Sequence, residues 1–463
     1  MGREMLRQIL ARFVGGQLLS SVELRRVAAN GVWVLVEKGV RLVTLLLSSI
    51  LMARYLQPTQ YGLFSYGTAY VSLFAAVASL GLREVVIRDW IMAQSLPVPT
   101  SSEPGALPAV IINTAIVLRA LSGVMVAIAA VLTAWLLVRD PMARVLVGII
   151  SITTLGRLSE VFEYPFEAAI QTQHVNILKA LVSLLSLGLT AAAVYLNASV
   201  YVFGAIVACG SLVQLAVLGG YFLRQKYPLR PLQLFSYTQA KRTLKDSWPL
   251  MFSALAVLVY MRSDQLMIKS MVGDYELGIY SAAANLVEAI YVFPVALLSS
   301  ILPKLIAAKA DSEERFYKSL QSLYDVMALF SYGMIGLSVL VSSTAIVVVY
   351  GSQYAESGSL FRLLALTILP VNLGVARSAF FTANNYPALK LQIVVSSCMI
   401  NIGLNLVLIP HWGSSGAAAA TLVSYYFSTF IACFLWRPLR KTGRMLMGSV
   451  LLLGLARKIS TAD

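Results

Sequence analysis

The chain has 463 residues, 58% of them hydrophobic and only 12% charged, with a formal net charge of +15. A water-soluble domain carries about 25% charged residues, so this composition excludes a soluble fold of this size and requires lipid to cover part of the surface. The positive balance needs no nucleic acid to explain it. Cys209, Cys398 and Cys433 each lie inside an apolar run, and the two histidines, His174 and His411, are far apart. That spacing gives no disulfide framework, no metal knuckle and no catalytic histidine set. No cofactor, metal or catalytic residue is therefore assigned.

The elements, in chain order, predict an all-α polytopic membrane protein. Residues 1–27 form a basic arm (Arg3, Arg7, Arg12, Arg25, Arg26) with Leu6, Ile9, Leu10 and Phe13 at helical spacing. No small-residue cleavage site follows a short apolar core, so the arm reads as an interfacial helix rather than a signal peptide. About twelve apolar runs follow, each near the ~20 residues that span a bilayer. They cover 28–52, 61–82, 109–138, 143–164, 174–196, 199–223, 247–271, 277–301, 321–350, 357–383, 387–409 and 413–436. This divides the chain into an N-terminal six-helix bundle (28–223), a basic cytoplasmic linker (224–246), a C-terminal six-helix bundle (247–436) and a tail (437–463). Within the tail, Met445–Leu455 is apolar but too short to cross, as an interfacial helix would be.

Orientation follows from the Lys and Arg bias of the short loops. With the N-terminus inside, the cytoplasmic loops and tail hold Arg224, Lys226, Arg230, Lys241, Arg242, Lys245, Lys304, Lys309, Arg315, Lys318, Arg437, Arg440, Lys441 and Arg444. The outward side holds only Arg54, Arg139, Arg144 and Lys269. Both termini are thus placed in the cytoplasm and the protein in the inner membrane. Its basic clusters answer the anionic lipids of that leaflet, at about 1 kcal/mol per residue near the surface.

An internal duplication is also legible. Gly62-Leu63-Phe64-Ser65 recurs 216 positions later as Gly278-Ile279-Tyr280-Ser281, each opening an even-numbered helix. Leu178-Lys179 and Leu389-Lys390, then Gly204-Ala205 and Gly416-Ala417, repeat at offsets of 211 and 212. Six helices separate the copies, an even number, so the two bundles share one topology. A parallel repeat of this kind suits alternating access.

The segment Ala53-Arg54-Tyr55-Leu56, Gln60-Tyr61-Gly62-Leu63-Phe64 and Gly81-Leu82-Arg83 resembles the first two helices of Wzx-type oligosaccharide flippases. So do Ser247-Trp248-Pro249-Leu250 and Tyr260-Met261-Arg262-Ser263-Asp264-Gln265. Asn401-Ile402-Gly403-Leu404-Asn405, running on to Gly416-Ala417-Ala418-Ala419, is similar to that family's eleventh and twelfth helices. The resemblance implies membership of the MOP superfamily. It also implies an undecaprenyl-pyrophosphate-linked sugar as cargo, turned from the inner to the outer leaflet, and polysaccharide polymerase or chain-length proteins as partners. Multidrug-type and peptidoglycan-precursor exporters of the same superfamily are the alternatives. The second is disfavoured because 437–463 cannot supply two further crossing helices. A polymerase or ligase enzyme is disfavoured because every outward connection is short and no catalytic set is visible.

Charges deep in a membrane cost about 2.5–3.5 kcal/mol each and mark function by default. Arg41, Arg119, Arg157 and Glu288 fall near mid-helix, whereas Glu37 is shallower and free to snorkel. Glu37, Arg41, Thr44 and Ser48 form one polar stripe, whose Glu-before-Arg order favours an ion pair. Arg157, Glu160, Tyr164, Glu167 and Gln171 form another. Guanidinium groups bind phosphate bidentately and stay ionised, so Arg41, Arg119, Arg157 and Arg262 are the expected pyrophosphate and sugar site. Glu37, Glu160, Asp264 and Glu288 are the expected sites for a coupling H⁺ or Na⁺. Tyr66, Tyr70, Tyr280 and Tyr291 are candidates for stacking on sugar rings. Pro294 and Pro370 interrupt apolar helices and are expected hinges.

Overall fold

The computed structural model describes residues 21–95, 106–225, 227 and 229–451. Arg3, Arg7 and Arg12 of the basic arm, and the tail beyond residue 451, lie outside them. The helices follow in order. The first, α1 (Ser21–Ser79), is interrupted at Gln57 (φ 62°, ψ 165°), immediately before Pro58, and so holds the first two predicted spans. After a turn at Leu80-Gly81, both with positive φ, comes the short α2 (Leu82–Ser95), then α3 (Ala106–Leu137). The fourth span is not one helix but three: α4 (Pro141–Ser151), α5 (Thr153–Gly156) and α6 (Ser159–Ala168). Asp140 caps α4 by accepting from Met142 N at 2.9 Å, with Pro141 at the first helical position.

Next come α7 (Gln173–Tyr195), α8 (Val200–Arg224) and α9 (Tyr237–Met271). The seventh predicted span therefore starts ten residues earlier than its apolar run, at Tyr237 rather than 247. Part of the basic linker is also held down: Arg230 N donates to Asn113 Oδ1 at 2.9 Å and Ser236 N to Thr114 Oγ1 at 3.2 Å. Tyr227, stacked on Phe222 at 4.9 Å, has its phenol pushed upward by burial.

In the second half, α10 (Asp274–Ile290) and α11 (Val292–Asp311) meet at Tyr291, and α12 (Glu313–Tyr350) follows. The expected loop at 302–320 is instead two helix ends joined at Ser312, whose Oγ caps α12 by accepting from Arg315 N at 3.1 Å. Then come α13 (Ser357–Ala365), α14 (Ile368–Ala383) and α15 (Pro387–Tyr426), the last interrupted at Gly413 (φ 56°). A π-turn over Phe427–Ile431 leads to α16 (Ala432–Leu435), and α17 (Arg440–Val450) ends the described chain.

Ten helical stretches are long and apolar enough to cross a membrane. The first and last of these contain the interruptions at Gln57 and Gly413, a division compatible with the twelve spans expected from the sequence. No strand occurs among them. Large apolar side chains such as Leu340, 84% exposed, look outward, as lipid contact requires.

By contacts, the described chain forms two compact units: residues 21–56 with 63–262, and residues 57–62 with 263–451. The core of the first packs Leu82, Val86 and Trp90 of α2 against Ile112, Val161, Phe162 and Phe222. The core of the second packs Leu305, Phe316, Leu320 and Tyr324 against Phe380, Leu439 and Leu446. There α17 docks through Leu446 and Ser449, whose Oγ donates to the buried Asp325 at 2.6 Å, and leaves Arg440, Lys441 and Arg444 exposed.

Candidate functional site

A cavity of about 370 Å³ opens inside the first unit, lined by α1, α4, α5, α6, α8 and the residues between α5 and α6. Arg41, Arg157 and Glu160 carry its charge, and Thr68, Ser72, Ser211 and Gln214 line much of the rest. The broken fourth span creates this arrangement. The helix stops at Gly156, where a Cβ would collide with Ser211 of α8, and restarts at Ser159. Arg157 and Glu160, either side of this break, line the opening, where their side chains are 44% and 40% exposed.

Behind Glu160 lies Arg119 of α3, only 1% exposed. Its Nη2 reaches Glu160 Oε2 at 2.5 Å and its Nε donates to the Arg157 carbonyl at 3.4 Å. Arg157 Nη1 stands 3.8 Å from Glu160 Oε1. One carboxylate therefore faces two guanidiniums, with Arg41 exposed on the same cavity, so the balance of the site is cationic. Hydroxyl ties hold the layers in place: Ser122 Oγ donates to Ala78 O at 2.9 Å, and Thr154 Oγ1 to Gly123 O at 3.1 Å.

The polar stripes divide differently from their spacing. Glu37 does not snorkel: it is 5% exposed, its Oε1 is buried without a hydrogen-bond partner, and among the described residues no ion pair joins it to Arg41. One helical turn separates a buried carboxylate from a guanidinium that opens onto the cavity. On α6, Tyr164 is buried and Glu167 pairs with Arg83 at 2.9 Å, away from the cavity. Glu163, off the predicted stripe, pairs with Lys179 at 2.9 Å in a mostly buried bridge.

The second unit holds a polar cluster at the end of α9. Asp264, 6% exposed, accepts from the Tyr280 hydroxyl and from Gln265 N. Tyr280 also bonds Thr421. Ser263 Oγ donates to Asn401 Oδ1 at 3.2 Å, Asn401 Nδ2 faces Thr421 and Ser424, and Asn405 Nδ2 donates to Asn401 Oδ1 at 3.0 Å. Asn405 Oδ1 is buried without a partner. A carboxylate, amide oxygens and hydroxyls are oxygen ligands of the kind hard cations take. Asn401, Asn405 and Thr421 carry no charge, so depth counting along the sequence passed over them.

Arg262 and Glu288 are half-buried, and neither lines the cavity of the first unit. Tyr66 and Tyr70 are buried against one another, Tyr280 serves Asp264, and Tyr291 is hydrogen-bonded to Thr367 at 2.5 Å, so no sugar-stacking platform forms from them. Pro294 and Pro370 are each the third residue after a helix break, at Tyr291 and at Leu366-Thr367. Pro370 O accepts from Thr429 Oγ1 at 2.8 Å, and Arg377 Nη1 donates to Ser428 O at 2.8 Å and Thr429 O at 3.1 Å. Arg377 thus supplies donors to carbonyls that the π-turn leaves over, and braces α14 rather than lining a cavity.

Residues 25–307 match the family described as polysaccharide biosynthesis protein. The chain is 24% identical over 198 residues to the probable low-salt glycan biosynthesis flippase Agl15 of Haloferax volcanii, covering 42% of either chain. It is 25% identical over 258 residues to the uncharacterized membrane protein YabM of Bacillus subtilis, covering 52% of this chain and 48% of that one. The chain spans about half the length, or less, of these curated relatives. Its fold is similar to that of the lipid II flippase MurJ in an inward closed conformation (TM-score 0.70, 13% identity, 91% of each chain). It is also similar to an inward-facing multidrug resistance MATE transporter of the MOP superfamily (TM-score 0.63, 14% identity, 87% of this chain and 96% of that one).

Proposed function

The chain belongs to the polysaccharide biosynthesis protein family, and we propose that it is a flippase for an undecaprenyl-pyrophosphate-linked oligosaccharide. In this reading it carries the head group from the cytoplasmic to the outer leaflet of the inner membrane by alternating access. The observation that carries the proposal is the cationic cavity formed by Arg41 and Arg157 around Glu160, with Arg119 behind it. A pyrophosphate cannot enter hydrocarbon unaided. Guanidiniums that are fixed, always ionised and weakly hydrated replace its water at the least cost. Threonine, serine and glutamine side chains on the same wall offer hydrogen bonds to a sugar. A cationic drug would meet repulsion there, so the anionic cargo is the better fit.

Outward movement of a dianion runs with an inside-negative potential, at about 2.3 kcal/mol per charge per 100 mV. The same potential favours the return of an empty cavity that keeps its positive charge, and an inward ion gradient would add a second driving force. Asp264, within its amide and hydroxyl cluster, is the site where H⁺ or Na⁺ would bind in exchange; Glu37, Glu160 and Glu288 are further candidates. Antiport with that ion completes the cycle. The test is transport by purified protein in liposomes with separately imposed gradients, set out at the end of the Discussion.

A further inference from the structure

The tail helix α17 does not lie across the helix ends, as its short apolar run predicts. Lys441 Nζ sits 3.3 Å over the Tyr317 ring, Gln321 Nε2 donates to Met445 O at 3.3 Å, and Ser449 Oγ donates to Asp325 Oδ1 at 2.6 Å. All three pairs are 124 positions apart, and a constant difference means two helices running side by side in one direction. Tyr324 with Thr442, and Tyr332 with Val450 O, each at 2.7 Å, repeat this at 118 positions. From the turn at Ser312, α12 leads into a membrane-crossing segment. The shorter helix therefore climbs beside it, with Lys441 at the foot and Leu451 at the top.

One face of α17 is used for this docking, where Thr442, Gly443, Leu446 and Ser449 are buried. The other face is open. Arg440, Arg444, Met447 and Leu451 fall at i, i+4, i+7 and i+11, one stripe of a helix. All four are exposed, Met447 by 38% and Leu451 by 63%. Residues 437–451 hold four cations and no acidic residue, and Arg437 and Arg444 have no ion pair among the described residues. Arg440 Nε donates to Phe434 O at 3.4 Å, which leaves the rest of its guanidinium free. Cations at the foot and apolar side chains above them match the order in which a phospholipid presents its phosphate and its acyl chain. Arg440 and Leu451 stand about 16 Å apart along the axis. The headgroup layer of one leaflet is roughly 5–8 Å deep, so the stripe reaches past it to the chains.

We propose that this stripe is a binding site for one anionic phospholipid. Arg440 and Arg444 hold the phosphate, and Met447 and Leu451 carry the upper part of an acyl chain. The bound lipid covers the open face of α17 and keeps the helix against α12. That the leaflet is the cytoplasmic one rests on the orientation read from the loops; the site itself does not depend on what is transported.

The test uses full-length protein with Cys209, Cys398 and Cys433 replaced by serine, reconstituted in phosphatidylcholine vesicles. A bimane fluorophore is attached at Met447→Cys or, as a control, at Leu340→Cys, a lipid-facing position 84% exposed. Nitroxide-labelled phosphatidylglycerol or nitroxide-labelled phosphatidylcholine is then added at equal mole fraction. At Met447→Cys the anionic lipid is expected to associate about thirtyfold more tightly, about fivefold from each arginine. At Leu340→Cys the two lipids are expected to quench alike. Arg440→Gln combined with Arg444→Gln is expected to abolish the preference at Met447→Cys and to leave quenching at Leu340→Cys unchanged, which reports that the variant is still inserted. Equal quenching by the two lipids at Met447→Cys, or a preference that survives the double variant, overturns the site. Absence of quenching there by either lipid places α17 outside the bilayer and overturns it as well. Displacement of the labelled lipid by undecaprenyl pyrophosphate, at a concentration where unlabelled phosphatidylglycerol displaces none, would make the occupant the cargo and overturn the phospholipid assignment.

Discussion

Arg119 and Glu160 stand 2.5 Å apart across the wall of the cavity, the arginine 1% exposed and the glutamate 40% exposed. The pair is lopsided: its cation is sealed among helices while its anion looks into the opening. Arg119 therefore has no direct access to cargo, and its charge acts through the carboxylate. Glu160 in turn holds Arg157 at 3.8 Å, which places a guanidinium where an anion would enter.

That relationship fixes how substitutions should couple. Glu160→Gln strands a buried guanidinium, and breaking such a pair costs about 3–5 kcal/mol when both members are buried. The half-exposed glutamate brings the expected loss to the lower end of that range. The double variant with Arg119→Gln is expected to regain part of it, giving a coupling of about 0.5–3 kcal/mol. Thermal unfolding of the purified protein measures this, and strictly additive losses would show that the two residues do not act as a pair.

Arg41 and Arg157 face the cavity themselves. Replacing either with glutamine is expected to stop transport while leaving expression and unfolding temperature near the parent values. Lysine should restore only part of the activity, because a point charge loses the bidentate fork. Surface polysaccharide in a strain lacking its own flippase gives the readout. Normal export by both glutamine variants would remove them from the binding site.

The Asp264 cluster makes a separate prediction. Asp264→Asn keeps the shape and one of the two accepted hydrogen bonds, from Gln265 N or from Tyr280, but loses the charge a cation needs. Transport should then cease to respond to a H⁺ or Na⁺ gradient, and Asn405→Ala should raise the ion concentration for half-maximal rate several-fold. An unchanged gradient response in both variants would leave the cluster a structural one.

Much of this was readable before any coordinates. The all-helical class and the helix breaks near Pro294 and Pro370 follow from apolar run length and residue type. The rest was hidden for physical reasons. Depth counting finds charges, so it found Asp264 but not the neutral Asn401 and Asn405 that converge on its neighbours through tertiary packing. It also cannot tell Arg41, open to a cavity, from Arg119, sealed behind one, because both sit mid-helix. Glu37 was expected to snorkel, yet packing buries it. The fourth span reads as one apolar helix because nothing in its composition announces a break at Arg157, next to the close approach of Gly156 to Ser211.

Topology has its own check. Cysteines at Gln233 and Glu314, both exposed, are expected to react only with reagent that reaches the cytoplasm. Reaction of either in intact cells with an impermeant reagent would reverse the orientation on which the direction of transport depends.

The central claim is tested most directly by reconstituting the purified protein in liposomes with an undecaprenyl-pyrophosphate-linked sugar, and following its transfer between leaflets under separate potential, pH and Na⁺ gradients. The account predicts transfer that requires the protein, is lost with Arg157→Gln, and responds to one ion gradient in the parent but not in Asp264→Asn. Equal transfer by the parent and Arg157→Gln, or none by the parent under any gradient, would contradict it.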